Sequence, residues 1–187
     1  MCTLPEPRRL PGDLAMWLFI LAELTVFALL ILAFATARLL APQVFAEGHA
    51  QLDTSTGLAM TLSLLTAGLL AALALQQVRQ GCPRRGAGVF VAALLAALLY
   101  ALIKLAEYGH LAAAGLGMEH SRFFTLYWVL TGFHFLHVLL GMLILGWLAL
   151  GCWRGGLSVG GVESGVLYWH MVDLVWVVLF PVVYVMG

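Results

Sequence analysis

Five long apolar stretches dominate the chain, and short polar connections separate them. They cover residues 14–40, 57–78, 87–108, 123–150 and 166–186. A helix that crosses the hydrocarbon core of a membrane needs about 20 mostly apolar residues, so each stretch is long enough to span. None alternates apolar and polar residues as the strands of a barrel do. The pattern therefore predicts an all-α polytopic membrane protein with five transmembrane helices.

The connections between these stretches are too short to form a second domain. Residues 1–13 are a polar tail in which Pro11 and Gly12 predict a turn and Asp13 predicts an N-cap for the first helix. The longest polar connection is 42–56, and glycine-rich turns are expected at 81–86 and 151–165. We therefore predict a cytoplasmic tail at 1–13 and a single five-helix membrane domain at 14–187.

Composition supports a membrane protein and excludes one large class of partner. Apolar residues make up 63% of the chain and charged residues only 10%. Soluble domains have about 45–50% apolar and about 25% charged residues. The formal net charge is zero and there is no basic run, so nothing predicts binding to nucleic acid.

Arginines in the short connections predict the orientation. Cytoplasmic loops of membrane proteins carry an excess of Lys and Arg. Six arginines lie on the side of the N-terminus and two on the opposite side, namely Arg8, Arg9, Arg79, Arg84, Arg85 and Arg154 against Arg38 and Arg122. The N-terminus is therefore predicted inside, and five crossings place the C-terminus outside.

A few ionisable side chains interrupt the apolar stretches. They are Glu23 in the first stretch, Lys104 and Glu107 at the end of the third, His134 and His137 in the fourth, and His170 and Asp173 in the fifth. A charge in the middle of a membrane helix costs about 2.5–3.5 kcal/mol even on insertion scales, so such side chains normally face the protein interior and have partners. These seven residues are the candidate functional positions.

Depth and spacing suggest how these residues associate. One layer about 10 Å thick can hold four of them, Glu23, His137, His170 and Asp173. The pair of Lys104 and Glu107 is expected elsewhere, near the outer end of the third helix. Three pairs are spaced by three residues, which places both members of each pair on one helix face.

The residues alone leave four interpretations of this polar set open. It can join helices structurally, form a lipid-binding or subunit-binding surface, relay protons, or ligate a metal or haem. Glu-x-x-His pairs on two helices, as in di-iron bundles, are absent from the sequence, as are a nucleophile motif, a P-loop and a dinucleotide fingerprint.

Four motifs resemble one known family, subunit III of the haem-copper cytochrome oxidases. They are WLFILAE at 17–23, KLAEY at 104–108, TGFHFLHVLLG at 131–141 and YWHMVDLVW at 168–176. They occur in the family's order. The resemblance implies a multi-pass subunit of the bacterial inner (cytoplasmic) membrane. Its orientation, with the N-terminus inside and the C-terminus outside, is the one that the arginines predict.

The resemblance also implies a role for the chain and for its polar residues. An accessory subunit of this family carries no catalytic centre, metal or redox cofactor itself, because haem and metal belong to the haem-bearing catalytic partner. Bound phospholipid is expected. Glu23 matches the family's buried, carbodiimide-reactive carboxylate. The family's signature polar residues, in contact with lipid or another subunit, are matched by His134, His137, His170 and Asp173.

Within the family, the stretch 10–17 resembles most closely the short, five-helix branch associated with nitric oxide reductase, the NorE type. The expected function is therefore an accessory subunit of a nitric oxide reductase or terminal oxidase, which supports its stability and turnover. One alternative is subunit III of a proton-pumping quinol or cytochrome c oxidase, with a role in proton uptake. A second alternative is an independent membrane protein that binds metal or haem, or a small transporter.

Overall fold

The computed structural model describes residues 14–186, which form six α-helices followed by a short π-helical turn. The helices are α1 (Leu14–Leu40), α2 (Pro42–His49), α3 (Thr54–Arg79), α4 (Pro83–Ala113), α5 (Arg122–Arg154) and α6 (Val159–Phe180), and the turn covers Pro181–Val185. Asp13 and the rest of the predicted tail lie outside the described residues.

The five long helices confirm the all-α prediction with five candidate membrane spans. Each is long and apolar enough to cross a bilayer, and the last one continues from α6 through the π-helical turn. They begin and end close to the predicted positions, although α3, α4, α5 and α6 extend further into the connections. An odd number of spans places the two ends of the described chain on opposite sides of a membrane.

The connection at 42–56 was predicted as a loop, and this prediction is wrong for its first half. Residues 42–49 form α2, which starts with Pro42 in its first turn, where the missing N–H is not needed. The helix is held by its apolar side chains: the ring of Phe45 lies 5.1 Å from that of Phe34 on α1 and 5.5 Å from that of Phe123 on α5. Burial of this aromatic anchor outweighs the polar composition of the segment.

The glycine-rich turn predicted at 151–165 is also mostly helical. Helix α5 runs to Arg154 and ends at Gly155, whose φ of 69° requires the left-handed region that glycine enters freely. Helix α6 starts directly after Ser158, whose hydroxyl caps it by accepting from the N–H of Gly161 at 3.2 Å. Glu163 therefore lies in α6 rather than in a loop.

Helices α3 to α6 form the packed centre of the bundle. Helix α3 packs most extensively on α4, α4 on α5, and α6 on both α3 and α5. Stripes of small residues on α3 and α4 meet, since Ala67, Ala71, Ala93 and Ala97 are fully buried. Small side chains let helix backbones approach closely, and the dispersion contacts hold the helices together in lipid.

Helix α1 is attached through one narrow stripe. Its buried side chains, Ile20, Phe27 and Phe34, are seven residues apart, and Glu23 lies on the same stripe. A seven-residue repeat is typical of two helices that cross at a shallow angle, since only a repeat near 3.5 residues keeps one seam against its neighbour. Most other side chains of α1 are exposed, so α1 is the peripheral helix of the bundle.

The start of α3 is fixed by its cap. The Asp53 carboxylate accepts from the N–H groups of Ser55 at 3.0 Å and Thr56 at 3.2 Å, and from both hydroxyls. The bonds from the Thr56 and Ser55 side chains, which favour the charged form, lower the pKa of Asp53 to about 2. This carboxylate therefore remains ionised at the polar boundary of the bundle at neutral pH.

Proline distorts the C-terminal end of the last span. Pro181 has no N–H to continue the α-helical ladder, and the chain takes a wider π-helical turn closed by a bond from the N–H of Met186 to the Pro181 carbonyl, 2.8 Å. Within this turn, Val183 and Tyr184 point into the bundle and are buried. The turn therefore aims Tyr184 at the end of α4.

Charge is distributed unevenly between the two ends of the described chain. One end carries Arg79, Arg84, Arg85, Arg154 and Glu163, and the other carries Arg38, Arg122, Glu47, Asp53 and Glu119. The arginine-rich end is the predicted cytoplasmic side, which remains a prediction from the positive-inside rule.

Cysteine accessibility measures this orientation. Native Cys82 lies in the α3–α4 turn, and a Gly117→Cys variant places a thiol in the α4–α5 connection at the opposite end. With the N-terminus inside, a membrane-impermeant maleimide added to whole cells labels Gly117→Cys and leaves Cys82 unlabelled until the membrane is permeabilised. Labelling of Cys82 in intact cells, with Gly117→Cys left unlabelled, would show that the N-terminus lies outside.

Candidate functional site

A hydrogen-bonded pair of Glu23 and His137 joins α1 to α5. Glu23 Oε2 lies 3.0 Å from His137 Nε2, and the side chains are 22% and 12% exposed. The other ring nitrogen, His137 Nδ1, bonds to the carbonyl of Phe133 one turn earlier, at 2.8 Å. The pair therefore binds the peripheral helix to the packed centre of the bundle.

The bond to Phe133 determines how protons are shared in this pair. A carbonyl oxygen can only accept, so His137 Nδ1 carries a hydrogen. His137 Nε2 then donates to an ionised Glu23 or accepts from a protonated one. In both cases one proton lies between Nε2 and Oε2 and the pair has no net charge. A neutral pair costs less in hydrocarbon than an isolated carboxylate does.

His134 is fully buried, and both of its ring nitrogens are bonded. Nε2 donates to the carbonyl of Val172 on α6 at 3.2 Å, which leaves Nδ1 to accept from the hydroxyl of Tyr100 on α4, also at 3.2 Å. His134 thus connects three helices as a neutral imidazole. His134 and His137 share a helix face by spacing, but they bond to different partners.

A buried ion pair, the Lys104 cluster, lies where α4, α5 and the π-helical turn meet. The cluster consists of Lys104, Glu107, Tyr127 and Tyr184. Lys104 Nζ contacts Glu107 Oε2 at 2.7 Å, the Tyr184 hydroxyl at 2.8 Å and the Tyr127 hydroxyl at 3.1 Å. These contacts match the three donors of an ammonium group. Both tyrosine hydroxyls also lie within 3.0 Å of the Glu107 carboxylate.

Aromatic rings surround the ammonium group of Lys104. Its Nζ lies 4.7 Å from the ring centre of Tyr108, 4.9 Å from Tyr127, 5.5 Å from Tyr184 and 5.8 Å from Trp176. Ring faces attract cations, and the attraction is larger where water is excluded. Lys104 is therefore held by charge, hydrogen bonds and ring faces together.

Two aromatic side chains, Phe27 and Trp176, connect the polar groups into one row through the bundle. This row, the polar file, consists of Glu23, His137, His134 and the Lys104 cluster together with the two aromatic side chains. The Phe27 ring lies 5.1 Å from the His137 ring and 6.2 Å from the His134 ring. On the other side, the Trp176 ring lies 5.1 Å from His134 and 5.8 Å from the Lys104 ammonium. The sequence predicted Lys104 and Glu107 near the outer end of the third span, apart from the histidines, and Trp176 connects the two groups in the structure.

His170 and Asp173 form a separate pair at the seam between α3 and α6. His170 Nδ1 lies 3.7 Å from Asp173 Oδ2, and the His170 side chain is 44% exposed. Glycine at position 68 of α3 makes room for this pair, because a Cβ there would overlap the Asp173 carboxylate. The four polar residues expected in one layer, Glu23, His137, His170 and Asp173, therefore divide into two separate pairs.

The residues that complete the histidine contacts and the Lys104 cluster were not predicted from the sequence. Tyr100, Tyr127, Tyr184 and Trp176 bond to or enclose the predicted ionisable side chains. The signal that could have found them is the placement of Tyr and Trp inside apolar stretches, since a buried Tyr O–H or Trp N–H requires a partner. Their pairing, however, depends on how four helices meet.

Metal binding by this polar set receives no support from the described part of the chain. Among residues 14–186, no three His, Cys, Asp or Glu side chains lie close enough together to hold a metal ion. The nitrogens of His134 and His137 are already bonded to protein groups.

A comparison with protein families matches residues 12–187 to cytochrome c oxidase subunit III. The match covers nearly the whole chain, including every residue of the file. The chain belongs to the cytochrome c oxidase subunit III family. This membership confirms the resemblance to haem-copper oxidase subunit III that the four motifs indicated.

Curated relatives agree with this family. The chain is 28% identical to the cytochrome bo(3) ubiquinol oxidase subunit 3 of Pseudomonas aeruginosa, over 91% of this chain and 83% of that protein. It is 30% identical to the cytochrome c oxidase subunit 3 of Synechocystis sp., over 90% and 73%. It is also 30% identical to the haem-copper oxidase subunit I+III of Aeropyrum pernix, of which it spans only 22%.

Carbodiimide labelling tests the setting of Glu23. A hydrophobic carbodiimide reacts with carboxyl groups that are reached through lipid and carry a proton, and Glu23 shares a proton with His137 in a partly lipid-exposed pair. We expect preferential labelling of Glu23 at neutral pH, measured by peptide mass spectrometry, and loss of that label in Glu23→Gln. Equal labelling of Glu23, Glu47 and Glu119, of which the last two are exposed at the polar boundary, would contradict this.

A double-mutant cycle tests the Lys104 cluster. Lys104→Met leaves the Glu107 carboxylate buried without its cation, and breaking a buried pair costs about 3–5 kcal/mol. Glu107→Gln in the same chain removes the unpaired charge, so the double variant should be more stable than Lys104→Met alone. Thermal unfolding in detergent measures the stability of the two single variants and of the double variant. Losses of stability that simply add would show that the two side chains do not interact.

Proposed function

We propose that this chain is a non-catalytic accessory subunit of a respiratory haem-copper complex, packed on a haem-bearing catalytic subunit in the electron transport chain. The observation that carries the proposal is the family match over residues 12–187. One relative supports the choice of partner, because its name joins subunit I and subunit III in a single protein. The accessory subunit then supports the stability and turnover of the catalytic subunit, together with bound phospholipid.

The polar file is consistent with a supporting role rather than with a redox centre. A haem or metal ligand needs a free imidazole nitrogen, whereas both nitrogens of His134 and of His137 are already bonded to protein groups. The bonds of Lys104 and Glu107 likewise end within the chain. We therefore assign redox chemistry to the partner subunit and structural support to this one.

Two polar side chains mark the face that we propose for the partner. Glu23 is 22% and His170 is 44% exposed, although both lie within candidate spans. Polar groups at this depth are costly against lipid tails and are normally covered by protein or polar groups. A catalytic subunit that packs over α6 and α1 covers both side chains.

The finer assignment concerns the chemistry of the partner. We propose the nitric-oxide-reductase-associated branch, because residues 10–17 resemble it. A second candidate is an oxygen-reducing quinol or cytochrome c oxidase, as the names of the relatives in Pseudomonas aeruginosa and Synechocystis favour. In that case a role in proton uptake is part of the proposal.

Co-purification tests the proposal. The tagged full-length chain, isolated in mild detergent from membranes of its own host, should carry a haem protein with the absorption of a haem-copper centre. Nitric oxide reduction by the purified complex supports the first assignment, and quinol or cytochrome c oxidation by oxygen supports the second. Stoichiometric recovery of the chain without haem protein would overturn the accessory role.

A pair of variants tests the proposed partner face. His170→Leu removes a partly exposed polar side chain from this face, and Thr66→Leu removes an exposed one from α3. We expect a severalfold loss of co-purified haem for His170→Leu and no loss for Thr66→Leu. Unfolding temperatures of the isolated variants separate a lost contact from a lost fold, and equal haem recovery would place the partner on another face.

A further inference from the structure

A polar pocket, the Asp53 pocket, lies between the start of α3 and the last turns of α4. Its volume is about 410 Å³, and its lining includes Gln51, Asp53, Thr56, Glu107 and His110. The pocket opens at the polar boundary of the bundle, where Asp53 and His110 are exposed. Liquid water takes up about 30 Å³ per molecule, so a pocket of this size and polarity holds several water molecules.

Glu107 is the charged group on the buried side of this pocket. Its side chain lines the pocket although it is only 9% exposed. Its Oε2 accepts from Lys104, Tyr127 and Tyr184, whereas its Oε1 accepts, among the described residues, from the Tyr184 hydroxyl alone, at 3.0 Å. A carboxylate oxygen can accept about two hydrogen bonds, so Oε1 retains a position for a donor from the pocket.

The charges around Glu107 favour the approach of a cation from the pocket. The titratable groups near its carboxylate are Lys104 and Tyr108 on α4, Tyr127 on α5, Tyr184 in the C-terminal turn, and Asp53 and His110 in the pocket. Lys104 neutralises Glu107 itself. The pKa of Asp53, lowered to about 2 by its hydroxyl donors, keeps that carboxylate charged in mild acid, so Asp53 attracts protons to the pocket.

Trp176 closes the Lys104 cluster on the side of the histidines. Its ring lies 5.8 Å from the Lys104 ammonium and 5.1 Å from the His134 ring. The indole N–H donates to Thr61 Oγ1 at 2.9 Å, and indole offers no acceptor. Within residues 14–186, no chain of side-chain hydrogen bonds links the cluster to His134. A proton that reaches Glu107 from the pocket therefore stops at the cluster.

We propose that the Asp53 pocket is an aqueous inlet and that Glu107 is a protonation site for the compartment at this end of the bundle, the predicted outer side. The proton binds at Oε1, the oxygen with the free acceptor position. Protonation removes the charge that neutralises Lys104, and a buried cation without its partner is strongly destabilising, so the contacts that hold Tyr184 weaken. The lining of the pocket includes no residue of α1 or α6, so this inference goes beyond the proposed partner face and does not depend on it.

Reaction of the purified full-length chain with a cationic, water-soluble carbodiimide tests access to Glu107. The reagent converts the carboxylate into an O-acylisourea, and the Lys104 amine, 2.7 Å away, attacks its carbonyl carbon. An amide bond forms between the two side chains, while one carboxylate oxygen and two ammonium hydrogens leave with the reagent as a urea. We expect this amide, detected by peptide mass spectrometry as the loss of one water and absent in Glu107→Gln.

Two phenylalanine variants at neighbouring positions of α4 test the route. Ala106→Phe places a ring in the pocket, whereas Leu105→Phe places one at an exposed position outside its lining. We expect amide formation to be severalfold slower in Ala106→Phe and unchanged in Leu105→Phe. An unchanged rate in Ala106→Phe, or no amide in the unmodified chain, would overturn the inlet.

The side of access is measured with intact cells and inside-out vesicles. A membrane-impermeant carbodiimide should reach Glu107 from the side on which the Gly117→Cys thiol is labelled, because the α4–α5 connection lies at the same end of the bundle. Reaction from the side of Cys82 would overturn the assignment of the compartment.

Acid titration of stability tests the consequence of protonation. The ionised Glu107 stabilises the fold through Lys104, and this contribution is lost as the pH falls and the carboxylate takes up a proton. The unfolding temperature in detergent should therefore fall on mild acidification, and it should fall less in Lys104→Met/Glu107→Gln, which lacks both charges. His110→Gln, the control for the exposed imidazole, should behave like the unmodified chain. An equal fall in the double variant would exclude Glu107 as the group that takes up the proton.

Discussion

The pairing of charges in a medium that cannot solvate them is the constraint on which this bundle depends. Lys104 and Glu107 lie three residues apart on α4 and neutralise each other. The remaining hydrogen bonds of the ammonium group are made to tyrosine hydroxyls from α5 and from the C-terminal turn. Without those hydroxyls, the ammonium group would keep two donors unpaired in hydrocarbon. The pair therefore requires one arrangement of its neighbours, and Pro181 helps to produce it by widening the last turn so that Tyr184 reaches the cluster.

The same constraint acts more weakly at the periphery. Helix α1 buries only a narrow stripe, and apolar side chains contribute little to its attachment, because lipid tails are as apolar as the seam they would replace. The bond between Glu23 and His137 supplies a specific contact, since Glu23 would otherwise face hydrocarbon alone. Phe27 then packs against both histidines and joins the peripheral contact to the centre of the bundle.

Membership of the cytochrome c oxidase subunit III family gives this architecture a functional context. The polar groups of the file bond mainly to one another and join the helices, while Glu23 in the file and His170 in its separate pair remain partly exposed. The arginine-rich end is a chemically different surface. The structure thus separates a polar, mid-membrane face from a basic, interfacial one.

The sequence by itself determined the class of protein, the five spans and the identity of the ionisable residues that lie within them. Length, hydropathy and spacing are local properties, so they can be read along one helix. The motifs also led to the family. Tertiary structure alone decided which residues meet: Glu23 with His137, His134 with Tyr100, and Lys104 with Tyr184. Tertiary packing also made residues 42–49 helical. The ring of Phe45 packs against the rings of Phe34 and Phe123, and no local pattern predicts these contacts. The three hydrogen-bonded contacts join residues 34 to 114 positions apart, and their geometry exists only after the helices have packed.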